Sequence, residues 1–274
     1  HYEKHNDVQF KVTTIEENAF MGKEIQSITF PPDSEIIRFK KKAFHGASIK
    51  KLEIPTSLVT IEAGCFFQTE GLVEIEVSPK NRLFSYVDNK FLLGKTNESQ
   101  KEFDVLIYAR FDLKTAKIPS CIKILQEHSI NLNLKSLNFP TNSKIEEIQY
   151  GALSHDITEL YIPKTLKRID SNCFHTTKKL VNIKVSPEND VFSYIDDKYL
   201  LTKSDGEKFD QIIFCRRDVK DVIIPNYIKK ICSFAFAECE KLKSIEFEPT
   251  CIIKEIEDMA FGWRDYPSEI IIPE

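Results

Sequence analysis

The amino-acid sequence predicts an α/β repeat solenoid, with short parallel strands on one face and two hairpin-enlarged rungs. Three observations lead there. The stretch Leu52–Lys95 returns 108 positions later as Leu160–Lys203, with about half its positions identical and most of those apolar or proline. Selection on one active site does not produce such a duplication, whereas a shape used twice does. A shorter motif, apolar-x-x-apolar-x-apolar, recurs along nearly the whole chain. Finally, two segments of matching sequence lengthen the period of that motif at matching places.

The motif occurs first at Ile25/Ile28/Phe30, then at Ile49/Leu52/Ile54, Leu72/Ile75/Val77 and Leu113/Ala116/Ile118. It continues at Leu134/Leu137/Phe139, Ile157/Leu160/Ile162, Leu180/Ile183/Val185, Val219/Val222/Ile224 and Leu242/Ile245/Phe247, and ends in a degenerate Ile270/Ile272. Its last two apolar places alternate with an outward residue, as in a strand with one buried face. Proline usually follows, and it ends a ladder because it has no N–H to donate. Neighbouring motifs lie 21 to 25 residues apart where nothing intervenes. One such unit cannot bury both of its apolar edges, but stacked units can. Successive strands are therefore expected side by side in one parallel sheet.

The second half of each unit reads apolar-x-x-Ile-x-x-x-small-Phe. It ends at Phe20, Phe66, Phe174, Phe236 and Phe261, with softer versions at Phe44, Ile130 and Leu153. The Ala or Cys before the Phe leaves room for the neighbouring rung, and the Phe fills the interior. A short helical turn is expected after it.

Two insertions interrupt the period: Val77 to Ile118 is 41 residues and Val185 to Ile224 is 39. Each opens with N-x-x-F-S-Y-[VI]-D-x-K and passes through an apolar pair, Leu92/Leu93 or Leu200/Leu201. Each then crosses a polar loop and returns through VLIYARF or QIIFCRR. That is a hairpin signature, with Asp205–Gly206 as a turn in the second copy. The insertions, about residues 82–112 and 190–218, add two strands to a rung within a single domain spanning 1–274.

Composition narrows the function classes. Of 274 residues, 42% are apolar and 29% charged, as in a folded, soluble chain. A net charge of −4 argues against a dedicated nucleic-acid or anionic-membrane binder. No run of 18 apolar residues exists, so no membrane span is expected. Glycine is scarce, with 8 residues against 20 Phe, which favours stacked aromatic rings over phosphate-cradling loops. The seven cysteines form no C-x-x-C and read as buried thiols acting as small hydrophobes; one disulfide among the late ones stays open. The chain opens HYEKHNDVQF, without initiator Met or apolar leader, as in a mature or trimmed form. Its last strand, SEIIIPE, lacks a polar cap, which leaves truncation or edge pairing open.

The unit L-x-x-[IL]-x-I-P-x-x-[ILV]-x-x-I-x-x-x-[AC]-F is clearest in Ile157–Phe174 and Val219–Phe236. It resembles the BspA-type leucine-rich repeat of the treponemal class. The inserts FSYVDNKFLL and FSYIDDKYLL resemble the "fs..dgvLy" element of that family, with Asn89 and Asp197 where the family carries glycine. The likeness runs from about Val12 to Pro273. It implies a cell-surface or secreted protein of the kind found on anaerobic bacteria and protist parasites. The implied function is non-enzymatic adhesion, with a host, matrix or microbial surface protein or glycan as partner. The alternative is a cytoplasmic leucine-rich-repeat scaffold or regulatory interaction protein.

No catalytic residue, cofactor or metal ligand is expected. Of the six histidines only His1 and His5 are spaced H-x-x-x-H, and they read as N-terminal surface residues; no H-E-x-x-H, nucleophile-elbow, Walker or dinucleotide motif occurs. Asp88 and Asp196 sit at the entries of the two hairpins, where turn duty explains them. The basic runs Arg38–His45 and Lys164–Arg168 read as solvated edges, with acids interleaved nearby. A glycoside hydrolase needs two acids facing across a cleft, and no such pair is identified.

The binding candidates are the outward residues of the strands, which stack about 4.8 Å apart from rung to rung. Those between the last two apolar places are Glu53, Glu76, Lys117, Asn138, Tyr161, Lys184 and Glu246, together with Thr29, Ile223 and Ile271. A second column holds Lys51, Glu74, Ser136, Glu159, Asn182, Asp221 and Ser244. Tyr161 is the one aromatic among them and the best anchor. Such a face suits a protein partner better than a small molecule. Asn97, in Asn97-Glu98-Ser99, is a candidate glycosylation site in the first insertion loop.

Overall fold

A computed structural model describes residues 2–5, 8–262 and 269–271. His1, Ile272 and Pro273, which entered the reading of the two ends, lie outside the described residues. The chain divides into two compact units, His1–Leu113 with Cys121–Leu132 and Lys114–Ser120 with Asn133–Glu274.

The recurring motif forms parallel strands in both units. In the first unit Glu24–Ile28, Ser48–Ile54 and Glu74–Val77 pair in sequence order, with Ile28 opposite Leu52 and Leu52 opposite Ile75. In the second, Thr115–Lys117, Ser136–Asn138, Glu159–Ile162 and Asn182–Val185 make a four-stranded sheet. Asp221–Ile224, Ser244–Phe247 and Glu269–Ile270 make a three-stranded one. The motif's apolar places point inward: Leu52, Ile54, Leu160, Ile162, Val222 and Ile224 are at most 1% exposed.

The expected single sheet is therefore divided. Within the second unit the break falls between Asn182–Val185 and Asp221–Ile224, at the enlarged rung. The extra length takes the backbone through three further strands before it returns, and the next strand does not rejoin the ladder. The second half of each unit also pairs. Two-residue parallel strands form at Thr14–Ile15, Arg38–Phe39 and Thr60–Ile61, at Glu147–Ile148 and Arg168–Ile169, and at Lys230–Ile231 and Glu255–Ile256.

Each insertion is an antiparallel meander. Phe84–Val87, Phe91–Gly94 and Val105–Ala109 pair in turn, and the last pairs in parallel with Ile124–Leu125. Ser193–Ile195, Tyr199–Lys203 and Phe209–Cys215 repeat the pattern, the last pairing with Lys230–Ile231. The final strand thus serves the column of two-residue strands, and two strands are additional. The first turn of each meander, Asp88–Asn89 or Asp196–Asp197, has φ between 51° and 54° at both residues. A two-residue turn with two positive φ values matches the strand twist, and Asn and Asp are the side chains that best tolerate it after glycine.

Polar side chains fasten the meanders from within. Asn81 donates from Nδ2 to the carbonyls of Pro55 (2.8 Å) and Leu58 (3.0 Å), and its Oδ1 accepts from the Leu83 and Phe84 N–H groups. Asn189 does the same with Pro163, Leu166, Val191 and Phe192. Asp104 and Asp210, each 1% exposed, hold the far loops. Asp104 accepts from the Thr96 N–H and hydroxyl, Asp210 from those of Ser204, and the ammonium groups of Lys123 (3.7 Å) and Lys229 (2.8 Å) approach them. Burial pushes the Asp210 carboxyl up, but the Lys229 and Ser204 hydrogen bonds outweigh it and the net shift is downward. In the second unit Arg217, 3% exposed, lies 4.3 Å over the Phe214 ring. It donates to the carbonyls of Phe174, Thr177, Cys215 and Ala235.

The interior is a stack of rings. In the first unit Phe20, Phe44 and Phe66 lie face to face at 5.4 and 5.6 Å, and Tyr108 from the meander meets Phe66 edge-on at 5.6 Å. In the second unit Phe174 meets Phe214 at 4.9 Å, and Phe236 meets Phe261 at 5.6 Å. The small residue before each Phe carries the link between rungs: the Ala43 carbonyl accepts from Phe20 N–H, and Cys65 from Phe44 N–H. All seven cysteines are free, five of them buried.

Where a helical turn was expected after the Phe, a tight turn encloses it instead. The residue two places before the Phe is left-handed at Asn18, Lys42, Gly64, Phe234 and Met259, and before the softer sites at His128 and Gly151. The Phe174 rung differs: Ser171–Phe174 is a short 3₁₀ helix, capped by the Asp170 side chain on the Asn172 N–H.

Three outcomes follow from this packing. Phe44→Ala removes a fully buried ring from the middle of the stack and should cost about 3–5 kcal/mol in urea unfolding. Lys42→Gly removes a side chain from a left-handed position, φ 57°, and should raise stability by up to about 1 kcal/mol. The depressed Asp210 carboxyl contributes stability that is complete above the unfolded carboxyl's pKa and is lost as pH falls through the folded one. Melting curves of the wild type and Asp210→Asn should therefore differ most near neutral pH and converge below about pH 4.

Candidate interaction surface

Strand side chains alternate, so a residue between two core positions faces out. The seven candidates fall on three separately laddered sheets. Glu53 lies opposite Glu76 in the first unit. Lys117 lies opposite Asn138, and Tyr161 opposite Lys184, on the four-stranded sheet of the second unit. Glu246 lies opposite Ile223 on the three-stranded sheet.

The groups differ in charge. Like charges directly opposite each other are unfavourable, and the first unit relieves its pair through Lys51. That ammonium reaches Glu76 at 2.6 Å and Glu74 at 2.9 Å. The hydrogen bonds that Lys51 donates to Glu76 and then Glu74 raise its pKa, and Lys51 lowers that of Glu76. Glu53 accepts from the Phe30 N–H at 3.2 Å. The second unit, at positions 108 residues on, has Tyr161 for Glu53, Lys184 for Glu76, Asn182 for Glu74 and Glu159 for Lys51. Tyr161 is 44% exposed. On the three-stranded sheet Ile223 is 56% exposed beside Glu246.

Beside Tyr161 and Lys184 the second meander rises as a wall. Together they enclose an open groove of about 620 Å³, lined also by Ser186, Tyr194 and Phe209. The sequence shows Tyr194 and Phe209 as strand and loop residues, and nothing in the period of the motif says that they return to the outward face of the preceding strand.

The remaining candidates are placed as follows. Asn97 is exposed, and its Oδ1 accepts from the Ser99 N–H and hydroxyl. The basic runs are met by acids from neighbouring rungs: Lys40 with Glu16, Lys41 with Glu127, Lys164 with Glu188 and Arg168 with Glu147, all within 2.8 Å. Three histidines join aromatic ladders along the turns. His45 and His128 stack on Phe67 at 5.1 and 3.9 Å, and His175 stacks on Tyr150 at 5.5 Å. Among the described residues no group of three or more His, Cys, Asp or Glu is arranged to hold a metal ion, and no helix is long and apolar enough to cross a membrane. The surface offers shape, charge and ring faces.

Comparison with known proteins agrees with this geometry. No curated protein matches the chain significantly. Among solved structures, a leucine-rich repeat protein from Eubacterium ventriosum is similar at 19% identity and a TM-score of 0.59, over 90% of this chain and 66% of that one. A leucine rich cell surface protein from Faecalibacterium prausnitzii is similar at 17% identity and a TM-score of 0.51, over 94% of this chain and 67% of that one. The pneumococcal vaccine antigen PcpA is similar at 19% and 0.54, over 99% of this chain and 59% of that one. The chain thus spans about two thirds of the first two proteins and less of the third. At these identities the likeness shows the fold. The model of the BspA type leucine rich repeat region matches in six copies over residues 4–92, 101–200 and 207–274, and the chain belongs to that family.

Proposed function

We propose that this chain is a non-enzymatic binding module of the treponemal class of its family, and that it serves adhesion at a cell surface. Leucine-rich-repeat solenoids are interaction scaffolds whose stacked units present extended faces to partners. The observation that carries the reading is the contrast between the two copies. Their core residues match, while their outward residues change from Lys51, Glu53, Glu74 and Glu76 to Glu159, Tyr161, Asn182 and Lys184. A face that only needed to be soluble has no reason to exchange carboxylates for an exposed ring and an ammonium group. The partner is a host, matrix or microbial surface protein or glycan. A surface location draws support from the solved relative described as a cell surface protein. Asn97 is then open to glycosylation where the chain is secreted by a eukaryote.

The test joins location to binding. Antibody labelling of intact and permeabilised cells reports where the protein resides, and immobilised purified protein is screened against matrix proteins and a glycan array. Labelling of intact cells, with saturable retention of a partner that falls at least tenfold in a Lys117→Glu/Tyr161→Glu/Lys184→Glu variant, is the expected result. Labelling only after permeabilisation, together with no retention across the panel, overturns the adhesion reading in favour of an internal scaffold.

A further inference from the structure

The groove beside Tyr161 and Lys184 runs along a strand edge that carries no partner strand. A residue in a parallel ladder directs its N–H and C=O to one side, and its neighbours direct theirs to the other. In Asn182–Val185 the Asn182 N–H donates to the Thr158 carbonyl, and the following Ser186 N–H donates to Ile162. The even-numbered residues therefore face the Glu159–Ile162 strand, and Ile183 and Val185 turn their main-chain groups the opposite way. Among the described residues no strand is laddered on that side. Both residues line the groove, and Ile183, 4% exposed, has its side chain in the core. The strand across the break differs at one main-chain group. Its Ile223 carbonyl accepts the Tyr199 hydroxyl at 2.9 Å, so the enlarged rung caps one main-chain group on that edge.

From this geometry we infer that the groove receives an extended, acidic peptide segment of a partner protein, which adds as a strand along Ile183–Val185. An unpaired edge with N–H and C=O groups at alternate residues is the template for strand addition, and pockets beside it select side chains. Lys184 is the one charged side chain among the described lining residues. At the wall, Lys203 places its ammonium group 4.8 Å from the Phe209 ring centre. Of the nearby acids, Glu188 is held by Lys164 at 2.8 Å, and neither it nor Glu159, opposite Asn182, belongs to the lining. The segment's carboxylates thus meet Lys184 and Lys203, and its apolar side chains meet the rings of Tyr161 and Phe209. The first copy has Glu53 and Glu76 where this one has Tyr161 and Lys184. The backbone therefore accepts carboxylates at both positions, and the variants that abolish the site are ones the fold already carries.

This assignment rests on the binding reading above and specifies its partner. The probes are fluorescein-labelled octapeptides of alternating Glu and Val or alternating Lys and Val, followed by anisotropy, with amide NMR shifts read at Ile183 and Val185. The Glu peptide should bind at least tenfold more tightly than the Lys peptide and shift both amides. Lys184→Glu and Tyr161→Glu should each weaken it at least fivefold with melting temperatures unchanged. Methylation of alternate peptide nitrogens, which removes the ladder donors, should weaken it at least tenfold. Equal affinity for the two peptides, or indifference to N-methylation, overturns strand addition. Binding of an acidic oligosaccharide such as oligogalacturonate at Lys184, with no peptide binding, assigns the groove to a glycan and also overturns it. Failure of the peptides while the protein still retains a partner in the wider screen removes the groove alone; failure of both removes the binding reading with it.

Discussion

The stack of phenylalanine rings sets the terms for everything else in this molecule. Rungs have to repeat at the spacing at which one ring covers the next, and in the first unit three rings keep 5.4 to 5.6 Å between centres. That spacing exceeds the strand separation of about 4.8 Å only slightly, so rings and ladders stay in step. The small residue before each ring brings the turns close enough for hydrogen bonds between rungs. A larger side chain at Ala43 or Cys65 would separate the turns and the strands attached to them. Left-handed residues at the turns are tolerated for the same reason: they aim the ring inward within a few residues of chain.

The enlarged rungs show how an insertion is accommodated without ending the stack. The meanders supply rings of their own, Tyr108 against Phe66 and Phe214 against Phe174, so the interior remains continuous within each unit. What they interrupt is the outer ladder of the second unit. Core continuity and sheet continuity are thus separate properties, and the fold keeps the first at the expense of the second. The Asp and Asn residues of the meanders satisfy backbone groups of the turns and loops that flank them.

The repeating strands, the position of the enlarged rungs and the outward residues were all legible in the sequence, because alternation over five or six residues registers as a period. The two-residue strands were not, since two residues cannot display alternation. Thr60–Ile61 looks the same in a ladder as in a turn. The division of the sheet was also hidden, because the motif at Val222/Ile224 is as regular as the one at Ile183/Val185. Ladder continuity depends on what lies between such motifs. Asp104 and Asp210 read as loop carboxylates, and only their burial beside Thr96 and Ser204 shows them as anchors. The groove draws residues from three stretches of chain, and no periodic pattern brings Tyr161, Lys184 and Phe209 together.

Arg217 gives the two copies separate identities. A guanidinium taken out of water is tolerable here because four carbonyls and a ring enclose it. The matching residue in the first copy is Phe111. Gene segments this alike invite recombination, which would splice one half-module onto the other. A crossover that put the phenylalanine in the place of Arg217 would take the donor away from the Phe174, Thr177, Cys215 and Ala235 carbonyls, so the lineage can vary its faces far more freely than it can exchange its modules.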